Sequence, residues 1–331
     1  MQAMQRMYAI MLSAGLVALG CGAQAAPGPS SSSSPGTASD GKPGETSGGE
    51  SASRPGAGLT CGFEIAGADQ LLDATDLVIL GEMHGNYEMP GFTEELLCRA
   101  LQRGSKVILG VEIPIDEQDT INAFVASDGS ADAVSALTAG AFWHREAQDG
   151  RSGKAMVGLL DRVRQLRAAK QDIEVVAFDL SPRGGDGQAR DAIMASNLER
   201  VREQHPGAVT VVLVGNVHAR LAEGAPWDAD YVPLAVHLTR TNPGLVSLNS
   251  EWSGGDTWVC TGPNPEDCGR RDWPGKMQGS ARTIEFGEAA RVTSKAGEVL
   301  YHGVYRVGQL TASEPAVEEA LRAPGDGADP R

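Results

Sequence analysis

The chain lacks the short signatures of several common chemistries. There is no Gly-x-Ser-x-Gly nucleophile elbow, no His-Glu-x-x-His helix, no P-loop and no Gly-x-Gly-x-x-Gly turn after a strand, which argues against serine hydrolases and nucleotide-dependent enzymes. Basic residues are scarce. Against 43 Asp and Glu there are 28 Lys and Arg, a formal net charge of −15, and aromatics make up 5 % of the 331 residues. A nucleic-acid partner calls for basic clusters, and few are present. Cysteine is also sparse, five in all with no Cys-x-x-Cys pair, so a structural zinc site of the thiolate type is not expected.

The one long apolar run, MYAIMLSAGLVALG over 7–20, falls short of the roughly 20 residues a membrane-spanning helix needs. Preceded by Arg6, it fits a secretory signal peptide over 1–20. Its end, Ala18-Leu19-Gly20-Cys21, resembles the lipobox of bacterial lipoproteins, which implies lipid on Cys21 and a membrane-anchored place in the cell envelope, at the outer membrane. The alternative is an ordinary signal peptide cut near Ala23-Gln24-Ala25-Ala26. Residues 21–58 are Ser, Gly and Pro-rich and cannot bury enough apolar surface to offset ordering entropy, so they read as a disordered linker. A single α/β domain is expected over 59–311, followed by a flexible acidic tail at 312–331. With Cys21 lipidated, four cysteines remain. Cys260 and Cys268 bracket a turn-rich loop, leaving Cys61 and Cys98 as a second bridge, as an exported chain favours.

Within the domain, four apolar runs read as strands buried on both faces: Leu77–Gly81, Val107–Ile113, Glu174–Phe178 and Val209–Gly215. Helical spacing marks Pro90–Arg103, Asp116–Val125, Ala131–Ala139, Ser152–Ala169 and Ala189–Glu203. This alternation predicts a mostly parallel central sheet flanked by helices. Short extra strands are expected in the C-terminal third, at Val232–Thr239, Leu245–Leu248, Trp258–Cys260, Arg282–Phe286 and Val299–Val307.

Ligands of open α/β sheets bind beyond the carboxyl ends of the strands, so the residues at each strand's carboxyl end matter most. The first and fourth strands end in the same pattern, Gly81-Glu82-Met83-His84 and Gly215-Asn216-Val217-His218. The second carries Glu112 and the third Asp179. A carboxylate among apolar strand residues costs several kcal/mol unless paired, which makes Glu112 hard to explain as structure alone. Asp179 reads equally as a helix cap. Arg151 and Arg190 open helices, where a cation opposes the macrodipole, so an anionic group is expected near each. His144 is a further pocket candidate, and Trp252, Trp258 and Trp273 are candidate contacts for an apolar ligand.

These residues resemble the superfamily that joins erythromycin esterases, ChaN-type haem-binding lipoproteins and the Tiki/TraB proteins. Gly81-Glu82-Met83-His84-Gly85, Asp149-Gly150-Arg151-Ser152 and the Arg190-Asp191 segment resemble esterase motifs. The paired Gly-x-x-His segments resemble Tiki/TraB, and Gly215–Arg220 with Gly224-x-Pro226 resembles ChaN. The esterase pattern implies His84 or His218 as general base, assisted by Glu82 or Glu112, with Arg151 holding substrate. Arg190, Asp179, His144 and Asn216 then line the substrate site. The Tiki/TraB pattern implies a divalent metal on His84, His218 and Glu112 in a peptidase. The ChaN pattern implies haem, held through Tyr231. The expectation is an exported, lipid-anchored hydrolase of a small-molecule or peptide substrate. The alternatives are a haem- or metal-binding uptake lipoprotein and a scaffold with a vestigial site.

Overall fold

The computed structural model describes residues 58–317 except 181–186, 226 and 263. The signal peptide, Cys21, the linker up to 57 and the tail from 318 lie outside the described residues. Helix α1 (Ala68–Ala74) leads into strand β1 (Leu77–Glu82), helix α2 (Glu88–Gln102) and strand β2 (Val107–Pro114). Helices α3 (Gln118–Val125), α4 (Ala131–Leu137) and α5 (Lys154–Ala168) precede β3 (Ile173–Asp179); α6 (Gly187–Gln204) precedes β4 (Val209–Gly215). The last third holds α7 (Leu234–Thr239), β5 (Val246–Cys260), β6 (Cys268–Asp272), β7 (Thr283–Phe286), β8 (Val292–Thr293), β9 (Val299–Tyr301) and β10 (Gly303–Leu310).

The main sheet runs β3-β2-β4-β1-β5-β10-β7, with β6 pairing the far end of β5. Its first six strands are parallel, and β7 is antiparallel to β10. Both faces are covered. Val78 and Leu80 of β1 pack with Phe92 and Leu96 of α2 and Leu159 of α5, while Leu77 and Ile79 pack with Met194 and Leu198 of α6 and Leu234 of α7. That double burial is why the strands are unbroken apolar runs rather than alternating ones. Gly110 lets α6 close on the sheet: a Cβ there would lie 3.1 Å from Leu198 Cδ2.

From adjacent β1 and β4 the chain runs to opposite faces, into α2 on one and α7 on the other. A crevice therefore opens between their carboxyl ends. Both cysteine pairs are disulfides, Cys61–Cys98 and Cys260–Cys268. Among the described residues no helix is long and apolar enough to cross a membrane.

The last third departs from expectation in four places. Val232–Thr239 is not a strand: Pro233 caps helix α7, and Leu234, Ala235 and Leu238 bury one helical stripe. Leu245–Leu248, apart from Leu245, and Trp258–Cys260 belong to one 15-residue strand, β5 (Val246–Cys260). Val299–Val307 is split by His302 into β9 and β10. Residues 312–317, placed in a tail by composition, are built into the domain, and Ala312 and Ser313 are buried.

Candidate active site

The parallel register sets Glu82 of β1 beside Gly215 of β4, and Glu112 of β2 reaches the same place by accepting the Gly215 N–H on Oε2 at 2.8 Å. Glycine at 215 leaves His84 its place. A Cβ there would stand 2.9 Å from His84 Nε2 and 3.4 Å from Glu112 Oε2. The second Gly-x-x-His segment thus makes room for the histidine of the first.

His84 Nδ1 lies 2.8 Å from Glu82 Oε1, and its Nε2 lies 3.6 Å from Glu112 Oε2. The ring is 21 % exposed. Burial pulls its pKa down, but Glu82 and Glu112 outweigh burial and hold it above the usual imidazole value.

Glu112 is buried and fully engaged. Its Oε1 accepts from Arg151 at 2.8 Å and from Arg190 at 2.7 Å. Burial would raise its pKa, yet the two guanidiniums and two imidazoles hold the carboxyl well below the usual range. Asp179 binds the same arginines, Arg151 at 3.1 Å and Arg190 at 2.8 Å through both Nε and Nη2. Asp149 completes the Arg151 cradle at 2.7 Å and also pairs with Arg145. Burial lowers the pKa of both cradled arginines, but these carboxylates raise it further. The anions expected near the helix-opening arginines are therefore Glu112, Asp149 and Asp179. Asp149 does not cap the helix ahead of it. Helix α5 starts after Gly153, so Asp149 serves Arg151 instead.

His218 joins this network through Arg190 and is held from its other side by Asp191 and Tyr231. Its Nδ1 lies 2.8 Å from Asp191 Oδ2 and 2.8 Å from the Tyr231 hydroxyl; its Nε2 lies 3.0 Å from Arg190 Nη1. Asp191 also accepts from Tyr231 at 2.7 Å and from the Leu234 N–H at 2.7 Å. Asn216 sits on the cleft wall, its backbone fixed by Glu82 and Tyr301.

A cleft of about 570 Å³ opens over these groups, lined by Glu82, His84, Arg190, His218, Trp227 and Tyr231 among others. Of the expected residues, Glu82, His84, Arg190, Asn216 and His218 line it, while Glu112, Arg151 and Asp179 are outside the lining and join it through their bonds to Arg190 and to one another. His144 does not: it is exposed and outside the lining. Trp252 is in the core, and neither it, Trp258 nor Trp273 lines the cleft. Asp191, Asp149 and Trp227 were not among the expected site residues. Asp191 had a visible signal, since it comes directly after Arg190 on a helix opening beside the sheet's carboxyl edge.

A divalent metal on His84, His218 and Glu112 does not fit these residues. Both Glu112 oxygens already accept hydrogen bonds, and the His218 Nε2 lone pair faces a guanidinium. A dication there would sit against Arg151 and Arg190, whose charge already fills that role. Haem ligation by Tyr231 fits no better. The phenol is buried, and burial together with Asp191 pushes its pKa up, away from the phenolate a haem iron takes.

No protein-family model matches the chain, and no curated protein matches it significantly. Its fold is similar to that of an erythromycin esterase, EreC, solved as a mutant in its open conformation. The TM-score is 0.55 at 11 % identity, over 74 % of this chain and 93 % of that one. It is also similar to a succinoglycan biosynthesis protein, with a TM-score of 0.51 at 10 % identity over 74 % of this chain and 91 % of that one. What is shared at such identity is the fold, a mostly parallel sheet between helices, as the superfamily resemblance implies.

Proposed function

We propose that the protein is a metal-independent hydrolase acting on esters, with His84 as the general base. The different states of the two histidines carry this assignment. A guanidinium only donates, so His218 Nε2 accepts from Arg190 and its proton sits on Nδ1, toward Asp191. Its lone pair is spent on positioning Arg190. His84 donates from Nδ1 to Glu82, and among the described residues no donor occupies its Nε2.

In this mechanism neutral His84 takes a proton from water at Nε2 as the water oxygen bonds the ester carbonyl carbon. The imidazolium forms between Glu82 and Glu112, which stabilise it. Arg190, one-quarter exposed on the cleft wall, offsets the charge developing on the carbonyl oxygen. The ester C–O bond then breaks, and His84 returns the proton to the leaving alkoxide.

Charge and shape define the substrate class. Five carboxylates (Glu82, Glu112, Asp149, Asp179, Asp191) face three guanidiniums (Arg145, Arg151, Arg190), so an anionic ester is disfavoured. Trp227, 71 % exposed on the cleft rim, presents an indole for a ring to stack on. The substrate is an uncharged or cationic ester bearing a ring. The two disulfides support an oxidising compartment, in keeping with export and anchoring through Cys21.

The test is hydrolysis of phenyl acetate and of its trimethylammonium and sulfonate ring derivatives by chelator-treated protein. His84→Ala is expected to lose about 10²–10⁴-fold in kcat, and His218→Ala less. Activity that vanishes on chelation and returns with metal contradicts the mechanism. A Soret shift with added haem that is lost in both histidine variants favours the uptake protein instead.

A further inference from the structure

Residues 311–316 form a strap across the two segments that carry His84 and Arg151. On one side, Tyr87 N–H donates to Thr311 O at 3.1 Å and Ser313 N–H to Gly85 O at 2.8 Å. Thr311 N–H donates to Glu88 Oε2 at 2.8 Å. On the other side, Lys154 N–H donates to Glu314 O at 2.8 Å and Ala316 N–H to Ser152 O at 3.0 Å. The two segments also touch directly: a Cβ on Gly150 would lie 2.5 Å from Gly85 Cα.

Helix α5 explains why the strap is needed. Its N-cap is Gly153, which has no side chain to accept the first free N–H groups. The strap accepts two of them, Lys154 N–H on Glu314 O and Ala155 N–H on the Ser313 hydroxyl at 2.8 Å. Ser313 is completely buried. It therefore grips the turn after His84 with its backbone and the helix after Arg151 with its side chain.

We propose that Ser313 is a positioning residue that fixes the distance between His84 and the Arg151–Glu112 pair. The inference rests on the hydrolase assignment for its kinetic readout, but not for its spectroscopic one. In the full chain, Ser313→Ala is expected to lower kcat on phenyl acetate about tenfold through misplacement of the base. KM should change less than twofold, and Ser313→Thr, which keeps the hydroxyl, should recover most of the loss. Unchanged kcat in folded Ser313→Ala, or a loss of kcat that Ser313→Thr does not recover, overturns the proposal. If the wild-type chain hydrolyses no ester, the hydrolase assignment has failed and the strap is judged by NMR. Ser313→Ala should then shift the Arg151 Nε–H and His84 ring signals, and wild-type positions for both refute it.

Discussion

Replacing Gly215 by alanine tests the packing on which the site depends. The added Cβ would lie 2.9 Å from His84 Nε2 and 3.4 Å from both His84 Cε1 and Glu112 Oε2. Carbon contacts are most favourable at about 3.5–4.0 Å, so the imidazole must retreat by roughly half an ångström. Overpacking of this kind costs about 1–3 kcal/mol of stability. Misplacing a catalytic group by 1 Å costs about 10²-fold, so roughly half that shift lowers kcat about tenfold. The retreat also takes His84 away from Glu112, one of the two carboxylates that raise its pKa, so the pKa should fall toward 6.5. The assays are kcat on phenyl acetate, thermal unfolding and an NMR titration of the His84 ring. A folded Gly215→Ala protein with wild-type kcat and an unmoved His84 titration would refute the arrangement.

Because His84 titrates above 6.5 in the folded chain, its contribution to stability is complete below the unfolded pKa and is lost as pH rises through the folded one. Urea unfolding should therefore show the stability gap between wild type and His84→Asn narrowing as pH rises; a gap that widens contradicts this. Glu112→Gln removes a buried carboxylate from two guanidiniums and should cost about 3–5 kcal/mol in the same assay, whereas a cost under about 1 kcal/mol would place the charge balance elsewhere. Trp227→Ala should raise KM for phenyl acetate while leaving KM for ethyl acetate unchanged, and equal effects on both would remove the stacking role. Labelled lipid should incorporate at Cys21 and not at Cys21→Ala; no incorporation in either sinks the anchor.

The strand ends were legible because a doubly buried strand has a conspicuous composition. Glu112 is out of place among Val111 and Ile113, and Arg151 and Arg190 sit at helix openings where a cation has no business without an anion. Three carboxylates meet them there. Less legible was Asp191, since a carboxylate in a first helical turn is ordinary and only the fold brings it to His218. The ChaN resemblance implied Tyr231 as an iron ligand, whereas its hydroxyl is committed to Asp191. Helix α7 was hidden because Val232, Leu234 and Val236 alternate like a strand, while the packing obeys Leu234, Ala235 and Leu238. Most of the strap at 311–316 works through backbone groups, which carry no residue signature; the exception is the Ser313 hydroxyl, one serine in a segment that composition assigns to a tail.

The account turns on His84 acting without a metal, and the pH dependence of kcat/KM on phenyl acetate in the presence of a chelator tests this most directly. The prediction is undiminished activity that rises through one ionisation above 6.5, the direction in which Glu82 and Glu112 move His84, and a rise that is absent in His84→Ala. Activity abolished by the chelator, or the same ionisation persisting in His84→Ala, would contradict it.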